Sequence, residues 1–187
     1  MGGPAFNTEF RSTLQGARDE ASALGHGHVD TTHLLLSVMR RPSAVLTELL
    51  NSLTVDPSNL AREAGSALQN HHAPPVSDIG FPYTGPAKKA LESAMDEARQ
   101  LRHAEVGPEH LLLALLRVGS PADCLILSRA GITLDKTRAA LSQLRPPTLQ
   151  RPISRGWMIA LPLSLTLPVS VLALLVAIVA LVVVLTR

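Results

Sequence analysis

A chain of 187 residues, 46% hydrophobic, 17% charged and 3% aromatic, has room for one or two small domains. Its net charge of +2 hides a division: 14 Lys and Arg face 15 Asp and Glu before Arg151, and three arginines with no acid follow from there. The part before Arg151 therefore lacks the clustered basic face of a nucleic-acid binder, scarce aromatics argue against a base-stacking platform, and a single cysteine, Cys124, excludes an intramolecular disulfide and a Cys-based zinc site.

The opening residues M-G-G-P-A-F-N-T-E-F show neither a basic nor an apolar leader region, so no cleavable secretory signal is expected. A first helix is predicted from Asn7 or Thr8 to Leu24, with Phe10, Leu14, Ala17, Ala21 and Leu24 on one face, Asn7 as N-cap and Gly25 as stop. A second covers His33 to Met39, capped by Thr31 and ended by Pro42. A third runs from about Ser43 to Leu53, and a fourth from Pro57, a favourable first-turn residue, to about Leu68. The pattern then repeats at an offset of 77 residues, from Phe6 against Tyr83 to beyond Val55 against Ile132. The repeat predicts a helix through Ala87, Leu91, Ala94, Ala98 and Leu101, then helices over Pro108–Leu116, Ala122–Ala130 and Leu134–Leu144.

An internal duplication of this kind sets the architecture. The expected fold is all-α: two tandem four-helix repeats packed as one pseudo-twofold domain, with a single transmembrane helix at the C-terminus. The expected bounds are 1–69 for the first repeat, 70–82 for a Pro-, Gly- and His-rich linker holding His71 and His72, and 83–145 for the second repeat. A Pro/Arg linker follows over 146–156. Residues 157–187 are expected to form the membrane tail anchor, with its core at 165–185. That tail carries no charge from Gly156 to Thr186, and a helix of about 20 apolar residues spans roughly 30 Å of hydrocarbon. Arg145, Arg151 and Arg155 on its N-terminal side predict an N-terminal domain facing the cytoplasm at the cytoplasmic membrane.

The motif L-G-H-x-x-[VI]-x-[TP]-x-H-L-L-L-x-[LV]-[LM]-R, preceded by A-x-D-E-A, occurs twice. It stands at Ala17–Ala21 with Leu24–Arg40, and at Ala94–Ala98 with Leu101–Arg117. Over about residues 6–145 this resembles the Clp N-terminal repeat, found doubled at the front of ClpA- and ClpC-type AAA+ unfoldases as a mobile all-α module that receives adaptors and substrate segments. Those unfoldases continue into ATPase modules with a G-x-x-x-x-G-K-[ST] loop. No such stretch occurs here, and Gly85-Pro-Ala-Lys88-Lys89 lacks its spacing. The resemblance implies a receiving module for protein or peptide clients, adaptors or Clp components, linked to Clp proteolysis or protein quality control; with the ATPase loop missing and the apolar tail present, it is expected to be non-enzymatic and membrane-tethered. The alternatives are a regulatory decoy or sensor competing for Clp adaptors, and a structural subunit of a membrane complex. No cofactor, metal or nucleic acid is expected.

Candidate site residues follow the same division. The paired positions His26/His103 and His33/His110 are read as structural rather than as metal ligands, with a ring nitrogen bonded to backbone near a helix cap; Glu105 replaces His28 in the second copy. The Asp19/Glu20 and Asp96/Glu97 pairs are read as solvated faces or salt bridges to the partner copy, because adjacent helical residues diverge by about 100°. Cys124 is read as a buried or half-buried structural thiol. The resemblance to ClpC-type members implies recognition of phosphorylated arginine by a Thr near the start of helix 1 and a Glu in the turn before helix 2. Here those are Thr84 and Glu109, with Asn7 and Thr32 as their degenerate equivalents.

Overall fold

The computed structural model describes residues 4–69 and 82–145, so the interdomain linker with His71 and His72, the Pro/Arg linker and the expected transmembrane segment 157–187 lie outside the described residues. Eight helices and two short strands follow in order: β1 (Ala5–Phe6), α1 (Thr8–Ala23), α2 (Thr31–Arg40), α3 (Ala44–Ser52), α4 (Pro57–Gln69), α5 (Gly85–Gln100), β2 (Glu105–Val106), α6 (Pro108–Val118), α7 (Pro121–Arg129) and α8 (Leu134–Leu144). Among the described residues no single helix is long and apolar enough to cross a membrane.

Local chemistry sets the helix starts. Pro57 and Pro108 open α4 and α6 and Pro121 opens α7, where a missing N–H costs nothing. Asn7, Ser43, Thr84 and Ser120 each cap a helix by accepting an N–H three residues on. The cap of α2 is Asp30, one residue before the expected Thr31, because its carboxylate accepts two N–H groups at once, from Thr32 and His33. The helix exits repeat as well. The four left-handed residues among those described form two equivalent pairs, Gly25 with Arg102 and Thr54 with Gly131. Each exit uses glycine in one copy and forces a side chain into the same conformation in the other.

α2 and α6 are buried almost completely, through leucine runs on both and, on α2, through Thr31, Thr32, His33 and Ser37 as well. They touch one another at the centre, with α1 and α4 packed on α2 and α5 on α6; α3 meets α8, and α4 meets α7, across the copies. The core includes Phe10, Leu34–Leu36, Leu49, Leu50 and Leu111–Leu113. Both copies share it in one compact unit.

Two short backbone pairings stitch the copies together. β1 runs parallel to β2, with Ala5 opposite Glu105 and Phe6 opposite Val106. Tyr83 forms the equivalent bridge to Val29. Each copy thus lends the segment before its first helix to the segment before the other copy's second helix. Two-residue strands carry no alternating pattern, and the sequence shows none.

Candidate ligand sites at two crossings

The exchange builds two crossings with the same backbone and different side chains. In one, the Asn7 N–H donates to the Val106 carbonyl (3.1 Å), bringing the start of α1 beside the turn that leads to Glu109. In the other, the Thr84 N–H donates to the Val29 carbonyl (3.0 Å), bringing the start of α5 beside the turn that leads to Thr32. Thr84 and Glu109, expected as one site within the second copy, therefore belong to different crossings. Each short strand is partnered by the other copy, so each first-helix start is set beside the turn of the opposite copy.

Glu109 is 1% exposed, in the first turn of α6. Its Oε1 accepts from Nη1 of Arg145 at 2.5 Å, while Oε2 has no hydrogen-bond partner. Burial raises the carboxyl pKa; its own backbone N–H and Arg145 oppose that rise, and the nearby Glu9 adds to it. Gly107 makes the arrangement possible, since a Cβ there would collide with the Glu109 carboxylate. A buried polar atom left unpaired costs about 1–3 kcal/mol, more when charged.

At the other crossing the expected loss of a carboxylate is only apparent. Thr32 Oγ1 donates to Oδ1 of Asp123 (2.7 Å), and Asp123 Oδ2 accepts the Ser120 N–H (2.9 Å). Asp123 is fully buried and comes from the second copy, where its equivalent in the first copy is Leu46, equally buried. A second acid, Asp30, stands where the other crossing has Gly107. Burial pushes the Asp30 carboxyl up, but the bond and charge of His33 and the N–H groups of His33 and Thr32 outweigh this and hold it below its ordinary value.

The four histidines form two buried pairs. In the second copy the partners at each end determine the tautomers. The Gly107 N–H donates to His110 Nδ1 (2.9 Å), so the ring proton is on Nε2 and goes to His103 Nδ1 (2.8 Å). His103 Nε2–H then donates to the Arg145 carbonyl (3.0 Å). Burial first, then His103 and Arg145, pushes His110 down to about 3, and burial likewise lowers His103. Both rings are therefore neutral near pH 7. In the first copy His26 Nδ1 and His33 Nε2 lie 2.9 Å apart, and His33 Nδ1 lies 2.8 Å from Oδ1 of Asp30. Among the described residues no group of three or more His, Cys, Asp or Glu is arranged to hold a metal ion.

The D-E pairs resolve within each copy rather than across copies. Glu20 takes Arg40; fully buried Glu97 takes Arg138 through both oxygens and approaches Arg117. Cys124 departs from expectation in being exposed. Its helix, α7, buries Ile126 and Leu127 and leaves Leu125 50% exposed.

Residues 5–82 and 82–150 each match the Clp repeat (R) N-terminal domain family. The chaperone protein ClpB of Oceanobacillus iheyensis is 34% identical over 139 residues, which are 74% of this chain and 17% of ClpB, so the chain spans a small part of that relative. The Hsp104 N-terminal domain from Candida albicans has the same fold, with a TM-score of 0.64 at 20% identity over 76% of this chain and 93% of that one. A ClpV N-domain in complex with a VipB peptide gives 0.60 at 16% identity over 74% and 86%. With both repeats matched, and a buried histidine pair at the same place in each, this chain belongs to the Clp repeat (R) N-terminal domain family.

Proposed function

We propose that this chain is a binding module without catalytic activity of its own. Held at a membrane by residues 157–187, it captures protein or peptide clients, adaptors or Clp components at the cytoplasmic face and serves Clp-linked quality control. The observation that carries the reading is Glu109, a buried carboxylate at a helix start that holds a guanidinium through one oxygen and leaves the other unpartnered. A ClpV N-domain of the same fold in complex with a peptide lends it support.

The ligand proposed at the crossings is a phosphorylated arginine. Its guanidinium suits a carboxylate and its phosphate suits the N–H groups of a helix start. The Asn7–Glu109 crossing is the receptive one. At the Thr84–Thr32 crossing both Asp123 oxygens are already engaged.

Cross-linking and affinity capture with the tagged full chain, from native membranes, tests the module reading. Recovery of clients, adaptors or Clp components supports it, and recovery of none contradicts it. Protease treatment of sealed, cytoplasm-out vesicles tests the topology: the N-terminal domain is expected to be cut, and its protection would reverse the orientation.

A further inference from the structure

The duplication supplies its own control for a surface away from both crossings. Where α4 meets α7, a groove of about 440 Å³ is lined by Ala67, Ala122, Leu125 and Ile126, with Arg62, Glu63 and Arg129 at its walls. Leu125 is the one large hydrophobic side chain standing exposed among the described residues. Arg62 and Arg129 are exposed too. Arg62 donates only to the neutral Asn59, and neither arginine has an ion pair among the described residues. Two guanidiniums thus flank an apolar seat against one half-buried carboxylate, Glu63. The adjoining hollow of about 400 Å³ adds Asp56, so the excess positive charge lies at the Leu125 end.

The equivalent surface, where α3 meets α8, has none of this chemistry. At the 77-residue offset Glu48 stands for Leu125, Ser52 for Arg129 and Ala139 for Arg62. The two surfaces share their helix framework, so helix packing explains what they have in common and not the Leu–Arg–Arg set. One exposed leucine is ordinary on a protein surface; what distinguishes this groove is that two arginines without ion partners among the described residues stand beside it, and such charges select for acidic partners.

We propose that the α4–α7 groove receives a short acidic segment of a protein partner, with an apolar side chain seated on Leu125 and carboxylates on Arg62 and Arg129. This rests on the binding-module reading and adds to it a second surface, independent of the Glu109 crossing. The probe is a fluorescent amphipathic peptide with leucines on one face flanked by glutamates, titrated against the detergent-solubilised full chain; its control carries lysines in place of the glutamates. The glutamate peptide is expected to bind in preference to the lysine peptide, and more weakly as salt rises. The pair Arg62→Glu and Arg129→Glu should weaken it about tenfold and gain the lysine peptide, and Leu125→Ser should weaken both modes. All three positions are exposed, and an unchanged helical circular dichroism spectrum verifies folding of the variants. Equal binding of the two peptides, or variants that bind as the parent does, would overturn the proposal. So would self-association of the parent that these substitutions abolish, since the groove would then belong to a second copy. Such a failure leaves the wider reading standing if affinity capture still recovers partners.

Discussion

The two crossings share a backbone and differ in how their polar groups are satisfied. At Thr32 the carboxylate of Asp123 has a partner on each oxygen, and Asp30 adds two capping bonds and a histidine. At Glu109 one oxygen is bonded and the other is not. Asp30 caps the buried helix in the first copy; in the second, glycine holds that position, Glu109 stands two residues further on inside the helix, and Glu105 precedes it in β2. The first arrangement is closed on itself and reads as structure. The second pairs its buried carboxylate with Arg145 and leaves one oxygen, Oε2, without a hydrogen-bond partner. Symmetry is preserved where the backbone pairs and broken where a ligand would be read.

The sharpest way to break this contrast is Arg145→Ala, which leaves Glu109 buried without its cation. The expected loss is roughly 3 kcal/mol, read as a shift in the urea unfolding midpoint of the full chain; no shift would mean that Glu109 is already served by water. Asp123→Ala removes the acceptor of both Thr32 and Ser120 at the other crossing and should cost about 2 kcal/mol. The crossings should also respond to pH with opposite sign. Glu109 is raised above its ordinary value of 4.5, so its contribution is fully present below that value and is lost as pH rises through its folded pKa. Asp30 is held below 3.8, so its contribution is present above that value and is lost as pH falls through its folded pKa. Glu109→Gln should flatten the first arm of the stability profile and Asp30→Asn the second; the reverse assignment would invert the electrostatics described here. The smallest effect concerns the helix exits. Thr54, a β-branched residue at φ 59°, matches Gly131 in the other copy. Thr54→Gly should therefore stabilise the protein, by about 1 kcal/mol, measured as a rise in thermal midpoint.

Much of the fold is legible in the residues because duplicated helical periodicity and proline and glycine punctuation act locally. The start of α4 at Pro57, the exit at Gly25 and the whole of α8 agree with expectation. The strand exchange is invisible for the opposite reason: it depends on two backbone pairings between segments far apart in the chain, Phe6 with Val106 and Val29 with Tyr83, with no side-chain pattern of their own. Pairing Thr84 with Glu109 fails for that reason. Asp123 looks like an ordinary first-turn acid until it is set against Leu46, its offset equivalent; an acid replacing a core leucine was the available signal. Cys124 and Leu125 lie in an apolar run that points to no single face, so periodicity does not separate them from the buried Ile126 and Leu127.

The most direct test of the unequal crossings is calorimetric titration of the detergent-solubilised full chain with a phosphoarginine peptide, repeated on Asn7→Ala, Thr84→Ala and Glu109→Ala. The account predicts binding by the parent and by Thr84→Ala, with weakening in Asn7→Ala and loss in Glu109→Ala. Loss in Thr84→Ala together with Glu109→Ala, while Asn7→Ala binds normally, would contradict it.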